Sequence, residues 1–190
     1  MKPDSENLSA QESLDIITSM INQAKGNVQR NAFYFLLWGW TIVACNLGVY
    51  VMLRLLQMQN PFWIWLLAIP AAIASGIYGM KQERSGTGTH LDKINKWLWI
   101  WFGIICFTVV AFGYKINYQI GGIITCVAAI PTFVSGVMLR FRPLIIGGIC
   151  FWICGIIIFL LPVYEQFLVA AFAIAIGYVV PGYMLKNRNS

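Results

Sequence analysis

Charge is what this sequence has least of. Asp, Glu, Lys and Arg make up 11% of its 190 residues, against about 25% in an ordinary soluble domain. There is a single histidine, His90, and acidic residues number only seven. No phosphate-binding glycine loop, zinc motif, nucleophile elbow or histidine-carboxylate set is present, so neither a catalytic residue nor a cofactor is expected. The five cysteines, Cys45, Cys106, Cys126, Cys150 and Cys154, all fall in apolar runs rather than polar loops, which argues against a disulfide framework. Cys150 and Cys154 share a helix face at i,i+4, but no further ligand at metal spacing joins them, so no metal site is expected.

What is abundant is apolar surface: 59% of the residues are hydrophobic and the mean hydropathy is +0.71. A water-soluble domain of this length has nowhere to bury so much of it, so lipid must serve as solvent. Lys and Arg lie in the gaps between apolar runs with no dense basic stretch. The net charge of +6 therefore speaks for membrane interfaces and against nucleic acid.

Six runs lack any Asp, Glu, Lys, Arg or His: Ala32–Leu53, Pro61–Met80, Trp97–Tyr114, Ile116–Leu139, Pro143–Tyr164 and Gln166–Leu185. They span 18 to 24 residues each, and a helix needs about 20 to cross the hydrocarbon of a bilayer. Runs such as Ile145–Ile158 do not alternate as barrel strands would. The expected fold is all-α and polytopic, with residues 1–30 forming a cytoplasmic amphipathic helix, 31–186 six transmembrane helices, and 187–190 a cytoplasmic tail.

Orientation follows from charge. Lys2, Lys25, Arg30, Lys81, Arg84, Lys93, Lys96, Arg140, Arg142, Lys186 and Arg188 fall on one side, and only Arg54 and Lys115 on the other. The eleven-to-two side is expected to be cytoplasmic, with both termini there. The acidic start (Asp4, Glu6, Glu12, Asp15) does not suit a secretory signal, so the first run is expected to remain as an anchor. Tryptophans at the openings of runs two and three (Trp63, Trp65, Trp97, Trp99, Trp101) read as an interfacial belt. Ser85 to His90, in the longest connection, reads as a flexible link.

The even-numbered runs end alike. Val134-Ser-Gly-Val-Met-Leu-Arg140-Phe-Arg142 matches Val180-Pro-Gly-Tyr-Met-Leu-Lys186-Asn-Arg188, and Ser75-Gly-Ile-Tyr-Gly-Met-Lys81 follows with one insertion. Ala-Ile-Pro precedes two of these endings, at Ala68–Pro70 and Ala129–Pro131. Three pseudo-repeated hairpins are expected. Small residues recur every four positions in these runs (Ala68, Ala72, Gly76; Ala128, Thr132, Gly136; Ala173, Gly177), which places the even helices at the packed centre.

Inside the runs the chemistry is quiet. Asn46 is the costliest polar group there and is expected to bond between helices. Pro70 and Pro131 each free a carbonyl four residues earlier. With Asn46, Gly76, Gly136 and Gly182, they are the candidate kink or cavity positions. Before the first run, Ser9-Ala-Gln-Glu12 is a capping box. Leu14, Ile17, Ile21, Ala24 and Val28 then follow at spacings of three and four, making one apolar stripe. Its polar face carries Glu12 and Asp15 rather than the basic residues of a lipid-binding helix. A protein contact, with a partner or with a second copy of the chain, is therefore expected at this stripe, with lipid or the chain's own cytoplasmic loops as the alternatives, and the bilayer is expected around the six runs. Gly26-Asn27 is expected to loosen the helix before membrane entry.

The G-x-M-L-[KR] endings and Trp-rich hairpin starts resemble the small six-helix proteins of bacterial inner membranes. The architecture is also similar to the acid-resistance membrane-protein family, over the membrane part only and without a shared motif. These resemblances imply a bacterial inner-membrane location and transfer no site residues. The reading that results is a non-enzymatic regulatory or scaffold component; the alternative is a small transporter or channel for a neutral or hydrophobic solute.

Overall fold

A backbone surrounded by hydrocarbon must satisfy its own N–H and C=O groups within each segment, and among the described residues every regular element is helical. The computed structural model describes residues 10–83 and 90–187, with side chains from 31–81 and 91–187. Ser9 of the capping box, Lys2, Arg84, the expected link over residues 85–89, and Arg188 lie outside the described residues.

Helix α1 (Ala10–Arg54) is one rod of 45 residues. It does not break at Gly26-Asn27, where loosening was expected. A 3-10 segment, Pro61–Leu67, leads into α2 (Ala68–Glu83). Helix α3 covers His90–Ala111, α4 Ile120–Met138 and α5 Arg142–Leu160. The last rod comprises α6 (Val163–Ile174), a π-helical turn (Ala175–Val179) and α7 (Val180–Asn187). Among the described residues, six stretches are long and apolar enough to cross a membrane: Asn31–Arg54, Pro61–Lys81, Leu91–Ala111, Ile120–Met138, Arg142–Leu160 and Val163–Asn187. This is the architecture of a multi-pass helical membrane protein.

The connections are built by local backbone chemistry. Between α4 and α5, Arg140 takes a left-handed conformation (φ 49°), and the Phe141 N–H reaches back to the Gly136 carbonyl at 2.9 Å. That six-to-one closure is the Schellman ending, and Pro143 then starts α5 where a missing donor costs nothing. Between α3 and α4 the chain makes a 3-10 turn, Gly113–Ile116, followed by left-handed Asn117 and Tyr118. This connection is longer than the single Lys115 that separates the two apolar runs.

Burial corrects the expected centre. The spans of α4, α5 and the α6–α7 rod are 44%, 39% and 56% buried, that of α1 28%, and those of α2 and α3 only 6% and 0%. The second run is therefore peripheral, although it carries the same small residues. Ala71, Ser75 and Gly79 lie on its less exposed side, while Ala72 and Gly76 are exposed. The core is instead made by α1, α4, α5 and the last rod.

Candidate functional site

The closest continuous packing in the bundle joins α4 and α5. A Cβ at Gly136 would meet the Ile145 nitrogen at 2.7 Å, one at Gly148 the Phe133 nitrogen at 2.9 Å, and one at Gly155 the Cys126 nitrogen at 2.9 Å. A Cβ at Gly122 would strike the Phe159 ring at 2.8 Å. All four pairs share one antiparallel register, so glycines on both helices act as successive teeth of a single seam. Small residues allow this approach, and in lipid such packing substitutes for the absent hydrophobic driving force. The last rod is drawn in the same way: a Cβ at Gly147 would lie 2.9 Å from the Gly177 Cα, and one at Gly177 would lie 2.6 Å from the Phe151 ring.

Around Gly177 the last rod widens into its π turn. The Val180 N–H bonds back five residues to the Ala175 carbonyl, and Pro181 offers no N–H to the Gly177 carbonyl four residues before it. Such single π turns commonly mark functional positions in helices. This one delivers Tyr178 to the middle of the bundle. Its buried ring packs edge-on to Phe151 at 4.8 Å between centroids, with Phe35 at 5.6 Å and Trp99 at 6.0 Å. Thr132 Oγ1 lies 2.7 Å from the Ala128 carbonyl oxygen and 3.3 Å from Tyr178 Oη. With one proton to give, the threonine donates to the carbonyl and accepts from the phenol.

One turn nearer the basic end is a second relay. Trp99 Nε1 donates to Ser135 Oγ at 3.3 Å, and Ser135 donates to Asn95 Oδ1 at 2.8 Å. The two relays link α3, α4 and the last rod through neutral hydroxyl, phenol, indole and amide groups. Trp99, Ser135, Thr132 and Tyr178 each have an acceptor for their side-chain proton, as buried polar groups require. This arrangement can hold helices in register. It carries none of the charge shuttling that a proton relay needs.

The sequence-picked positions do not converge on one place. Pro131, Gly136 and Gly182 are buried, and a Cβ at Gly182 would meet Leu36 of α1 at 3.0 Å. Pro131 adjoins Thr132 inside an unbroken α4. Pro70 is exposed, in the first turn of α2, where the 3-10 segment gives way to α-helix. A Cβ added at Gly76 would have nothing within 4 Å of it. Asn46 is buried but donates within its own helix, to the Ile42 carbonyl at 2.8 Å, rather than across helices. Leu14, Ile17, Ile21, Ala24 and Val28 all fall in the α1 helix. Cys150 and Cys154 place their sulfurs 3.8 Å apart, and among the described residues no group of three metal-ligating side chains forms.

Tyr178, Trp99, Phe35 and Phe151 look like ordinary apolar or belt positions in the sequence, and nothing there singles them out as a cluster. The available signal was Pro181, three residues after Tyr178 inside a long apolar run. Glycines at 147, 148 and 155 in the fifth run were the corresponding signal for the seam. Comparisons with protein-family models, with curated protein sequences and with solved structures give no match to this chain.

Proposed function

We propose that the protein is a non-enzymatic regulatory or scaffold component of a bacterial inner membrane, acting through protein contacts made by its N-terminal helix. The observation that carries this reading is the length of α1. Its 45 residues span about 67 Å at 1.5 Å per residue, while the membrane-crossing part, Asn31–Arg54, needs only 24 of them. The remaining turns bear the stripe Leu14, Ile17, Ile21, Ala24 and Val28. A rigid connection between this stripe and the bundle suits a component that holds a partner at the membrane. The distribution of Lys and Arg supports an orientation with both termini in the cytoplasm. The matching endings at Gly136 and Gly182 support descent from repeated hairpins.

Deleting residues 1–28 tests the reading. The shortened protein should fold and insert, with its thermal transition in detergent close to that of the full chain. Its cross-linked cytoplasmic partners, identified by quantitative mass spectrometry, should fall to background. An unchanged set of partners would sink the proposal.

A second reading rests on a different observation, the π turn at Gly177 facing Thr132 next to Pro131. Interrupted helices at membrane depth can form sites for substrates, and the neutral relay here suits a neutral or hydrophobic solute. Flux through reconstituted liposomes is its test, and flux equal to that of empty vesicles would remove it.

A further inference from the structure

The end of the bundle that carries Arg54 and Lys115 has no part in the contacts proposed above. The first crossing stretch, Asn31–Arg54, has 24 residues and so rises about 36 Å, against about 30 Å of hydrocarbon. Arg54, in the last turn of α1, therefore reaches the headgroup layer, where lipid phosphates lie. Among the described residues its guanidinium forms no ion pair and no hydrogen bond. It stands over the Tyr164 ring, 5.9 Å from the centroid. Glu165, the one acidic residue at this end, follows Tyr164 in α6 and does not pair with Arg54.

The backbone around Arg54 is folded so that the cation is left over. Leu55 and Leu56 N–H both return to the Val51 carbonyl, at 2.9 and 3.1 Å, and Met58 N–H returns to the Met52 carbonyl at 3.0 Å. The main chain thus serves these carbonyls at the end of α1, and Arg54 is not their cap. Gln57 takes a left-handed conformation, φ 48°, which is uncommon for a residue with a Cβ and recurs at ligand clamps.

This wrap leaves a cleft of about 300 Å³ lined by Leu53, Arg54, Gln57, Met58 and Tyr164, a volume within the range of small-ligand sites. Guanidinium, amide and phenol can all donate hydrogen bonds, and no carboxylate lines the cleft. Where the same connection ends, a second cleft of about 510 Å³ is lined by Asn60, Phe62, Trp63, Trp65 and Leu66. Its aromatic walls suit the apolar part of an amphiphile rather than a bare anion. Lys115, the other cation at this end, rests against Tyr114 of its own connection at 5.3 Å and lines neither cleft.

We infer that the Arg54 cleft is a phosphate-binding site, filled by the headgroup of a phospholipid in the adjoining leaflet or by the free anion. The guanidinium takes two phosphate oxygens as a fork. The Gln57 amide and the Tyr164 hydroxyl donate to the others, and the Tyr164 ring holds the guanidinium in place from beneath. Of the two sources, the neighbouring aromatic cleft favours the lipid.

The test uses the full-length protein in maltoside micelles, which contain no phosphate. The probe is phosphatidylglycerol with a photoreactive diazirine at the head of one acyl chain, and diacylglycerol with the same diazirine is the control. Mass spectrometry of the labelled protein should place the phosphatidylglycerol adduct on peptides containing residues 53–58 and 164, with diacylglycerol labelling them far less. Arg54→Gln should lower this labelling about tenfold, as expected for a charged hydrogen-bonding partner. Tyr164→Phe keeps the ring under the guanidinium and removes the hydroxyl, and should lower it about threefold. Lys115→Gln should leave it unchanged. All three positions are exposed, so thermal transitions close to that of the unaltered protein are expected and show that the variants are folded.

Equal labelling by diacylglycerol overturns the inference, and so does undiminished labelling in Arg54→Gln and Tyr164→Phe. A loss in Lys115→Gln as large as that in Arg54→Gln also overturns it, because general attraction to positive charge would then account for the binding. Adding inorganic phosphate separates the sources. Displacement of the lipid shows that the site takes the free anion as well, and retention shows that it requires the lipid; both uphold the phosphate site.

Discussion

At the scale of single residues, glycine gives the clearest contrast between what the sequence displays and what packing decides. Gly76, Gly136 and Gly182 occupy equivalent places in the three run endings, yet only the last two are pressed against a neighbour. A one-dimensional pattern records that a residue is small and cannot record which helix approaches it. Gly148→Ala should lower the free energy of unfolding in bicelles by about 1–3 kcal/mol, because the new methyl group meets the Phe133 backbone and neither helix can yield without disturbing the seam. Gly76→Ala should leave stability unchanged or raise it by up to about 1 kcal/mol, since it adds helix propensity in open space. Equal losses at both sites would mean that α2 is not peripheral. Tyr178→Phe removes one hydrogen bond to Thr132 and keeps every ring contact. The expected loss is about 0.6 kcal/mol and no more than about 2, and it should vanish in a Thr132→Val background.

At the scale of elements, the six apolar runs were legible because lipid imposes one solution on any segment that enters it. The ends of the helices were less so. Helix α3 begins at His90, but Asp92, Lys93 and Lys96 read as a loop when charge alone marks the boundary. The π turn was hidden for another reason: Val180-Pro-Gly reads as part of the shared ending. There the missing donor of Pro181 and the small size of Gly177 together reshape the backbone. Amide exchange should therefore be faster over residues 175–180 than over 166–172, because the π turn interrupts the regular hydrogen-bond ladder and the Gly177 carbonyl lacks its usual partner. Pro181→Ala restores an N–H at that place and should narrow the difference. Uniform exchange along the rod in the unaltered protein would show that the turn is not a local weakness.

At the scale of the whole molecule, two asymmetries organise the structure. The first is lateral: four rods share the core, while α2 and α3 stand outside it and meet α1 and α4 along one side each. Sequence alone ranked the even helices together because small residues recur in all of them, and lipid accepts a small residue as readily as a large one. The second asymmetry runs along the membrane normal. Lys81, Lys93, Arg140, Arg142 and Lys186 lie at one end of the rods, and Arg54 and Lys115 at the other. A lysine or arginine resists translocation far more than it resists staying inside, so this bias should set the direction of insertion. A green fluorescent protein fused after Asn187 should fluoresce, and alkaline phosphatase inserted after Gln57, in the connection between the first two crossings, should be active. The reverse pattern would put the α1 extension and the basic ends outside the cell, where no soluble cytoplasmic partner could reach them. Orientation is thus the condition on which the proposed contacts depend, and it can be tested before any partner is known.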